Sequence, residues 1–169
     1  MLRENEPLFA PDDLDRFHSH IMPAVRISRL GCGISERHAA AYCDSLSAFH
    51  VLTPCDNSTH VDGIPLGAAD RTFAPGHWQA FDLRSEKAIV LRASSAPIGS
   101  APTTEAIVEF TPQTLAVSAI ISWLSSAITF KTGDIILFAD YSINLGKPAL
   151  NTEINADIDG IATLNFRIK

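Results

Sequence analysis

Apolar and polar residues alternate along much of this chain, and this period of two predicts half-buried β-strands. In residues 24–29, for example, Val25 and Ile27 alternate with Arg26 and Ser28. The same reasoning predicts strands at residues 46–53, 88–93, 105–110, 154–158 and 163–169. The last two flank Asp159-Gly160, which is typical of a tight turn, so the chain is expected to end in a hairpin.

A helix followed by a buried strand is predicted in residues 111–140. Thr111 and Pro112 supply an N-cap and a proline at the first helical position. Apolar residues then recur at helical spacing and predict one buried face, made of Ile120, Trp123, Leu124, Ala127 and Ile128. After a turn, the continuous apolar run of residues 135–139 has the length of a fully buried strand.

Two shorter helices and one long loop complete the predicted elements. A first helix begins at Pro11 and ends at Pro23, and a second spans about residues 36–42 after Ser35 as its N-cap. Residues 56–77 are rich in Gly, Pro, Asp and Asn and read as loop. A loop of this length is usually functional or packed against a neighbour.

Strands therefore dominate, and their connections are too short for repeated crossover helices. This order predicts an α+β, mainly β fold rather than a doubly wound sheet. A length of 169 residues favours one domain, which we expect at residues 17–169 after a short extension at residues 1–16. Hydrophobic residues make up 46% of the chain and charged residues 19%, so we expect part of the surface to be buried against another subunit.

The net charge and the length of the apolar runs argue against two classes of partner, nucleic acid and membranes. The net charge of -6 and the lack of a basic run argue against nucleic acid. No apolar run approaches the roughly 20 residues of a membrane span, and the N-terminus does not resemble a signal peptide. We therefore expect a cytoplasmic protein without a membrane partner.

The three cysteines, Cys32, Cys43 and Cys55, are odd in number and widely spaced, which predicts free, mostly buried thiols.

Three segments of the C-terminal third occur in an informative order: WLS at residues 123–125, FKTGDIIL at 130–137 and IDGIATLN at 158–165. They resemble the fumarylacetoacetate hydrolase (FAH) family, in which a helix precedes an L-x-P-G-D-V-I-x-T-G-T-P segment and a final I-x-G-I-G-x-L-x-N strand. Residues 23–42 resemble the family's E-x-E-L-A-V-V-I-G and V-S-E-E-D-A segments. The resemblance implies an FAH-like mixed β-sandwich roll with a few short helices.

The positions of the family's metal ligands differ in this chain. The resemblance aligns the two glutamates of the E-x-E pair with His20 and Met22, and a later aspartate with Ser45, one residue after Asp44. A thioether and a hydroxyl do not replace carboxylates around Mg²⁺. We therefore expect no metal cofactor, with bound Mg²⁺ or Mn²⁺ as the alternative. The family's T-G-T-P, whose threonine contacts the substrate carboxylate, corresponds to Phe138-Ala139-Asp140-Tyr141.

Five residues are candidates for catalysis. His18 and His20, two residues apart, fall on one face of a strand and with Asp44 or His50 could form an acid-base or soft-metal cluster. The competing interpretation is a pair of ordinary histidines left after loss of a metal site. Asp140 and Tyr141 follow the buried strand and could supply a base beside a phenol, although an aspartate there is more often a turn cap.

Three further residues are candidates for substrate binding: His50, and Arg71 and His77 in the long loop, where polar residues are common in any case. Together these residues favour an FAH-like domain without the family's metal site. It would act as a homodimer, or beside an FAH-family homologue, with metal-independent chemistry on a small keto or enol compound or with none. The alternative is a conventional divalent-metal hydrolase, decarboxylase, hydratase or isomerase of 2-oxo or β-diketo acids.

Overall fold

The computed structural model describes residues 7–9, 14–56, 60–61, 64–65 and 72–169. Within these ranges the chain forms twelve strands, one α-helix and three short 3-10 helices. The strands are β1 (Phe17–Ile27), β2 (Cys43–Pro54), β3 (His60–Val61), β4 (Ile64–Pro65), β5 (Phe73–Pro75), β6 (Gln79–Ala80), β7 (Ile89–Pro97), β8 (Thr104–Phe110), β9 (Ile135–Leu137), β10 (Ile143–Gly146), β11 (Thr152–Ile158) and β12 (Ile161–Ile168). The helix α1 is Val117–Ala127, and the 3-10 helices are Leu14–Arg16, Glu36–Ala41 and Ala139–Tyr141.

Two antiparallel sheets make up the body of the domain. One has six strands in the order β10-β1-β2-β5, with β6 also pairing with β2 and β9 with β1. The other has four strands in the order β12-β11-β7-β8, and β3 and β4 form a separate pair. This architecture confirms the predicted mainly-β α+β fold with few short helices.

The main core lies between the two sheets, and the predicted C-terminal hairpin is part of it. β11 and β12 pair along their length around Asp159 and Gly160, both of which have positive φ, 53° and 78°. Their inward side chains, such as Ile154 and Phe166, are buried. Leu8 is also fully buried, and its backbone N–H donates to Arg167 O at 2.9 Å.

Pro23 lies in the middle of β1, where the sequence predicted the end of a helix. That prediction is wrong: β1 continues through Pro23 and pairs with β2 on both sides of it. Proline has no N–H, so a strand tolerates it only where no neighbour needs that donor. On the side of β1 away from β2, β9 ends at Leu137 and β10 begins at Ile143, and Pro23 lies beside this interruption.

The helix α1 begins later and buries a different face than predicted. Instead of capping a helix, Thr111 forms reciprocal side-chain hydrogen bonds with Thr114, and α1 starts after Ala116 at φ 51°. The buried positions are Val117, Ile121 and Ser125. Of the predicted face, Ile120 and Leu124 are partly buried, whereas Trp123, Ala127 and Ile128 are exposed.

Three other predictions need correction. The helix at about residues 36–42 is a short 3-10 helix, and the strand at 135–139 ends at Leu137, where the chain turns into the 3-10 helix Ala139–Tyr141. β3, β4 and β5 lie within the predicted loop 56–77, parts of which fall outside the described residues. All three cysteines are free, but only Cys43 is buried, and burial raises the pKa of its thiol to about 12.

Candidate functional site

The histidines of β1 and β2 lie on two different faces of the six-stranded sheet. Successive side chains of a strand point to opposite faces. His18 and His20 therefore share one face of β1, while Ser19 and Ile21 share the other. In the register, His50 lies opposite Ile21 and thus shares the face of Ser19. We call the face of Ser19 and His50, which contacts the four-stranded sheet, the inner face, and that of His18 and His20 the outer face.

On the outer face, His18 and His20 form an edge-to-face pair. Their ring centroids are 6.4 Å apart, and the ring planes meet at 83°. The Nδ1 atoms of both rings are buried, and no hydrogen-bond partner is present for them in the described residues. Burial, and secondly the charge of His18, lowers the pKa of His20 below its usual value. Near neutral pH His20 is therefore a neutral imidazole with a ring nitrogen available for a proton.

On the inner face, His50 is fully buried and bonded to Ser19. The Ser19 Oγ and His50 Nε2 atoms are 2.8 Å apart, and the imidazole packs on Phe166 of β12 at a centroid distance of 4.9 Å. Burial lowers the pKa of His50 to about 3, and His20 adds a smaller effect in the same direction. His50 is thus a neutral core residue without solvent access, which argues against the substrate contact predicted for it.

An apolar cluster occupies the outer face beside His20. Met22, Ala24, Phe49 and Val51 are buried there, and the partly buried side chains that cover them are Phe73, Trp78, Ile135 and Leu137. Val51 lies directly opposite His20 on the neighbouring strand. Among the described residues, His20 is therefore bordered by hydrocarbon and thioether on the side of β2.

Asp44 lies near the opposite end of β2 from the residues that pair with His18 and His20. Ser45, its neighbour, lies opposite Arg26, six residues along β1 from His20. Arg26 donates to Ser45 Oγ at 2.9 Å and stacks over Trp78, and Ser45 Oγ donates to Asp44 Oδ1 at 2.6 Å. At about 3.3 Å per residue, this separation keeps Asp44 out of reach of the histidine pair. The predicted cluster of Asp44 with His18 and His20 does not form.

Asp140 and Tyr141 are in a 3-10 helix rather than at a strand end. Asp140 is exposed. The Tyr141 hydroxyl donates to Thr114 O at 2.9 Å, and its ring packs edge-on against Phe110. Tyr141 therefore stabilises the segment before α1 through this hydrogen bond, a structural role that the sequence did not indicate.

The remaining candidates lie elsewhere. The His77 side chain is exposed, and its backbone N–H donates to Thr163 O at 2.6 Å on the other sheet. Arg71 lies outside the described residues. Sequence reasoning missed Ser19 as the partner of His50, although a period of two already turns Ser19 away from His18 and His20. It also missed Val51, because the register that places it opposite His20 requires strand pairing.

Comparison with solved structures identifies the fold. The chain superposes on 5-carboxymethyl-2-hydroxymuconate delta-isomerase from Mycobacterium smegmatis with a TM-score of 0.73 and 19% identity, covering 98% of this chain and 63% of that one. For 2-hydroxyhepta-2,4-diene-1,7-dioate isomerase from Mycobacterium marinum the TM-score is 0.72 and the identity 21%, and the match covers 98% of this chain and 63% of that one. For fumarylpyruvate hydrolase from Pseudomonas aeruginosa, solved with Mn²⁺ and pyruvate, the TM-score is 0.70 and the identity 17%, and the match covers 96% of this chain and 70% of that one.

These similarities define an FAH-like fold, as the sequence resemblance implied, and the chain spans under two thirds of the length of both isomerases. No protein-family model matches the sequence, and no curated protein does. Among the described residues, no helix is long and apolar enough to cross a membrane.

The divalent ion that the FAH resemblance implies does not fit the residues of the outer face. Mg²⁺ and Mn²⁺ require several converging oxygen ligands. The aligned positions hold an imidazole at His20, a buried thioether at Met22, and the Ser45 hydroxyl far along the sheet. No group of three or more His, Cys, Asp or Glu side chains in the described part of the chain could hold a metal ion. These side chains therefore lack the carboxylate oxygens that Mg²⁺ and Mn²⁺ prefer, and Ser45 lies too far from His20 to bind the same ion.

Proposed function

We propose that this chain is an FAH-fold domain that works without a divalent metal and catalyses proton transfer on a small keto or enol compound. The observation that carries the proposal is the outer histidine pair: two adjacent imidazoles with partnerless, buried Nδ1 atoms, flanked by an apolar cluster where the metal ligands are expected. Such a site offers a base and a low dielectric, and both favour general acid-base catalysis.

His20 is the base in this proposal. Its lowered pKa keeps the imidazole neutral near pH 7. The ring nitrogen accepts a proton from the carbon next to a carbonyl, the electrons of the C–H bond form a C=C bond, and the carbonyl oxygen becomes an enolate. The same proton then passes to that oxygen, which yields the enol and the neutral imidazole. His18 lies beside His20 and stabilises the ring orientation through their edge-to-face contact.

The substrate class comes from the fold and from the outer face. Proteins with this fold include isomerases of two unsaturated 2-hydroxy carboxylates and a hydrolase solved with pyruvate, so the compounds in their names carry an enol or a keto group. The buried cluster of Met22, Phe49 and Val51 borders His20 with apolar side chains, which would limit the access of water to a compound bound at the imidazole. The alternative is a conventional enzyme of 2-oxo or β-diketo acids that uses a divalent metal, and the Mn²⁺ in the Pseudomonas hydrolase supports it.

Keto-enol exchange of pentane-2,4-dione and phenylpyruvate, followed by the ultraviolet absorbance of the enol, tests the proposal. We expect acceleration that EDTA leaves unchanged and that His20→Ala reduces by about 100-fold or more, the size of a lost general base. His38→Ala is the matched control, because His38 is an exposed histidine that is bonded to Ser35 and lies outside β1 and β2. The rate should begin to fall only at a pH below the range of an ordinary imidazole, because burial lowers the pKa of His20.

Each other outcome has a defined meaning. Loss of the rate in EDTA with recovery in Mn²⁺ would establish the conventional metal enzyme instead. Stabilisation of the folded protein by millimolar Mg²⁺ or Mn²⁺ would support the same conclusion, because an ion that binds only the folded state raises its stability by mass action. A protein that accelerates neither compound would be a non-catalytic subunit, and the proposed chemistry would be rejected.

A further inference from the structure

Asn144 of β10 lies beside His20, on the side of β1 that faces away from β2. In the register, Asn144 is the residue opposite His20, and the next pair along the two strands is Ile21 and Ile143. Both isoleucines are buried in the core, so His20 and Asn144 share the outer face. The Cβ atoms of such cross-strand neighbours are about 5 Å apart. His20 therefore has a carboxamide on one side and the apolar cluster on the other.

The backbone next to Asn144 departs from a regular strand. His20 pairs with Asn144 but Ser19 pairs with Gly146, so Leu145 is an extra residue in β10 and forms a β-bulge. Gly146 has a φ of 82°, which a residue with a side chain rarely adopts. β-Bulges redirect neighbouring side chains and are common next to active sites. This bulge directly follows the position opposite His20, the proposed base.

The bulge also fixes the orientation of the Asn144 carboxamide. The Gly146 N–H donates to Asn144 Oδ1 at 2.7 Å, and only the oxygen of a carboxamide can accept this bond. The Nδ2 group can donate two hydrogen bonds, and no acceptor for it is present among the described residues. Asn144 is exposed, so a ligand can reach this group. An oriented hydrogen-bond donor without a protein partner is thus present beside His20.

We propose that Asn144 stabilises the enolate in the reaction proposed for His20, by donating a hydrogen bond from Nδ2 to the carbonyl oxygen of the substrate. This inference rests on the proposed function. When His20 removes the proton, the electron pair of the C–H bond forms the C=C bond and negative charge collects on that oxygen. An oriented donor at the oxygen stabilises this charged intermediate more than the neutral ketone, and it therefore raises the rate.

The position of the two residues suits a small ketone. The carbon that loses the proton is bonded to the carbonyl carbon, so the base and the donor must contact adjacent parts of one molecule. Side chains on the same face of neighbouring strands meet this requirement, because about 5 Å separates their Cβ atoms. The carboxamide is uncharged and binds a ketone oxygen without requiring a carboxylate on the substrate. A neutral 1,3-diketone is therefore the appropriate probe.

Asn144→Asp separates the donor from the support of the bulge, because aspartate keeps an oxygen for the Gly146 N–H but has no Nδ2 group. In the keto-enol exchange of pentane-2,4-dione we expect kcat to fall by about 100-fold, the effect of removing one donor to an oxyanion, with little change in KM. The urea midpoint should stay close to that of the wild type. Asn151→Asp is the matched control and should keep the full rate, because Asn151 is an exposed asparagine in the turn before β11.

The pH dependence of kcat adds a readout that support of the bulge alone would not change. A carboxylate beside His20 favours the imidazolium and raises the pKa of His20, so the acid limb of the profile should move to higher pH in Asn144→Asp but not in Asn144→Ala.

The failures of the two proposals are distinguishable. An active wild type whose Asn144→Asp and Asn144→Ala variants keep the full rate would overturn this inference and leave His20 as the base. A loss of rate that parallels a loss of stability, without the shift of the acid limb, would assign Asn144 to the bulge alone and overturn the inference too. A wild type that accelerates neither pentane-2,4-dione nor phenylpyruvate would overturn the proposed function, and this inference with it.

Discussion

The two faces of the six-stranded sheet carry the same residue type in opposite circumstances. On the inner face His50 is fully buried, bonded to Ser19 and packed on Phe166. On the outer face His18 and His20 are partly accessible, and their buried Nδ1 atoms, like that of His50, have no hydrogen-bond partner in the described residues. The inner histidine is part of the core, whereas the outer pair is partly exposed. The face that a side chain occupies, rather than its residue type, separates a structural role from a candidate catalytic one.

The strongest test of this comparison places a carboxylate in the outer apolar cluster. Phe49→Asp should destabilise the fold by about 4 kcal/mol, because Phe49 is buried beside Met22 and packs on Trp78, and the change replaces this aromatic contact with a buried carboxylate. Urea denaturation measures the loss. Thr53→Asp, on the same strand and face but only partly buried, should cost less than about 1 kcal/mol. Equal losses would show that the cluster is not a closed core.

Truncation of the two kinds of histidine should have unequal effects on stability. His50→Ala opens a cavity beside Phe166 and leaves Ser19 without its partner, so we expect a loss of about 3 kcal/mol in the free energy of unfolding. His18→Ala, on the more accessible outer face, should cost less than about 1 kcal/mol. The double variant Ser19→Ala/His50→Leu removes both polar groups and should recover most of the loss. An equal cost for His18→Ala would remove the distinction between the faces.

Acid should reveal the inner histidine through the pH dependence of stability. The pKa of His50 is about 3 in the folded state and 6.5 in the reference state, so between these values the unfolded chain binds more protons. Stability is therefore complete above about pH 6.5 and falls on acidification, with a limiting slope of about 1.4 kcal/mol per pH unit for one proton. Urea midpoints at pH 7, 6 and 5 measure this slope. The Ser19→Ala/His50→Leu variant should show a shallower dependence, and an unchanged slope would contradict the assignment.

The fold class and most strands could be predicted from the sequence, because a strand with one buried and one exposed face alternates apolar and polar residues. It also placed His18 and His20 together on one face. It did not separate His50 from them, because that requires the antiparallel register of β1 and β2. For the same reason the sequence does not show that Asp44 and the histidine pair lie at opposite ends of β2.

Helix α1 shows a different limit of sequence reasoning. Both sides of α1 carry large apolar residues, so periodicity alone does not decide which side meets the core, and it places Trp123 on the wrong one. Its start was also misplaced, because Thr111 and Thr114 bond to each other and Tyr141 from a distant segment holds Thr114 O. Tertiary contacts override a local N-cap signal here.

Pro23 helps to fix the register in which β1 pairs with β2. Opposite it, Ala48 directs its carbonyl away from β1 to the N–H of Gly76 at 3.0 Å, so β2 needs no donor from Pro23. A slip of β1 by one residue would turn the strand over, aim the proline nitrogen at β2 and break the ladder there. The same slip would exchange the faces and drive His18 and His20 into the core. Pro23 therefore disfavours the one-residue slip of β1 that would move His18 and His20 from the outer face to the inner face.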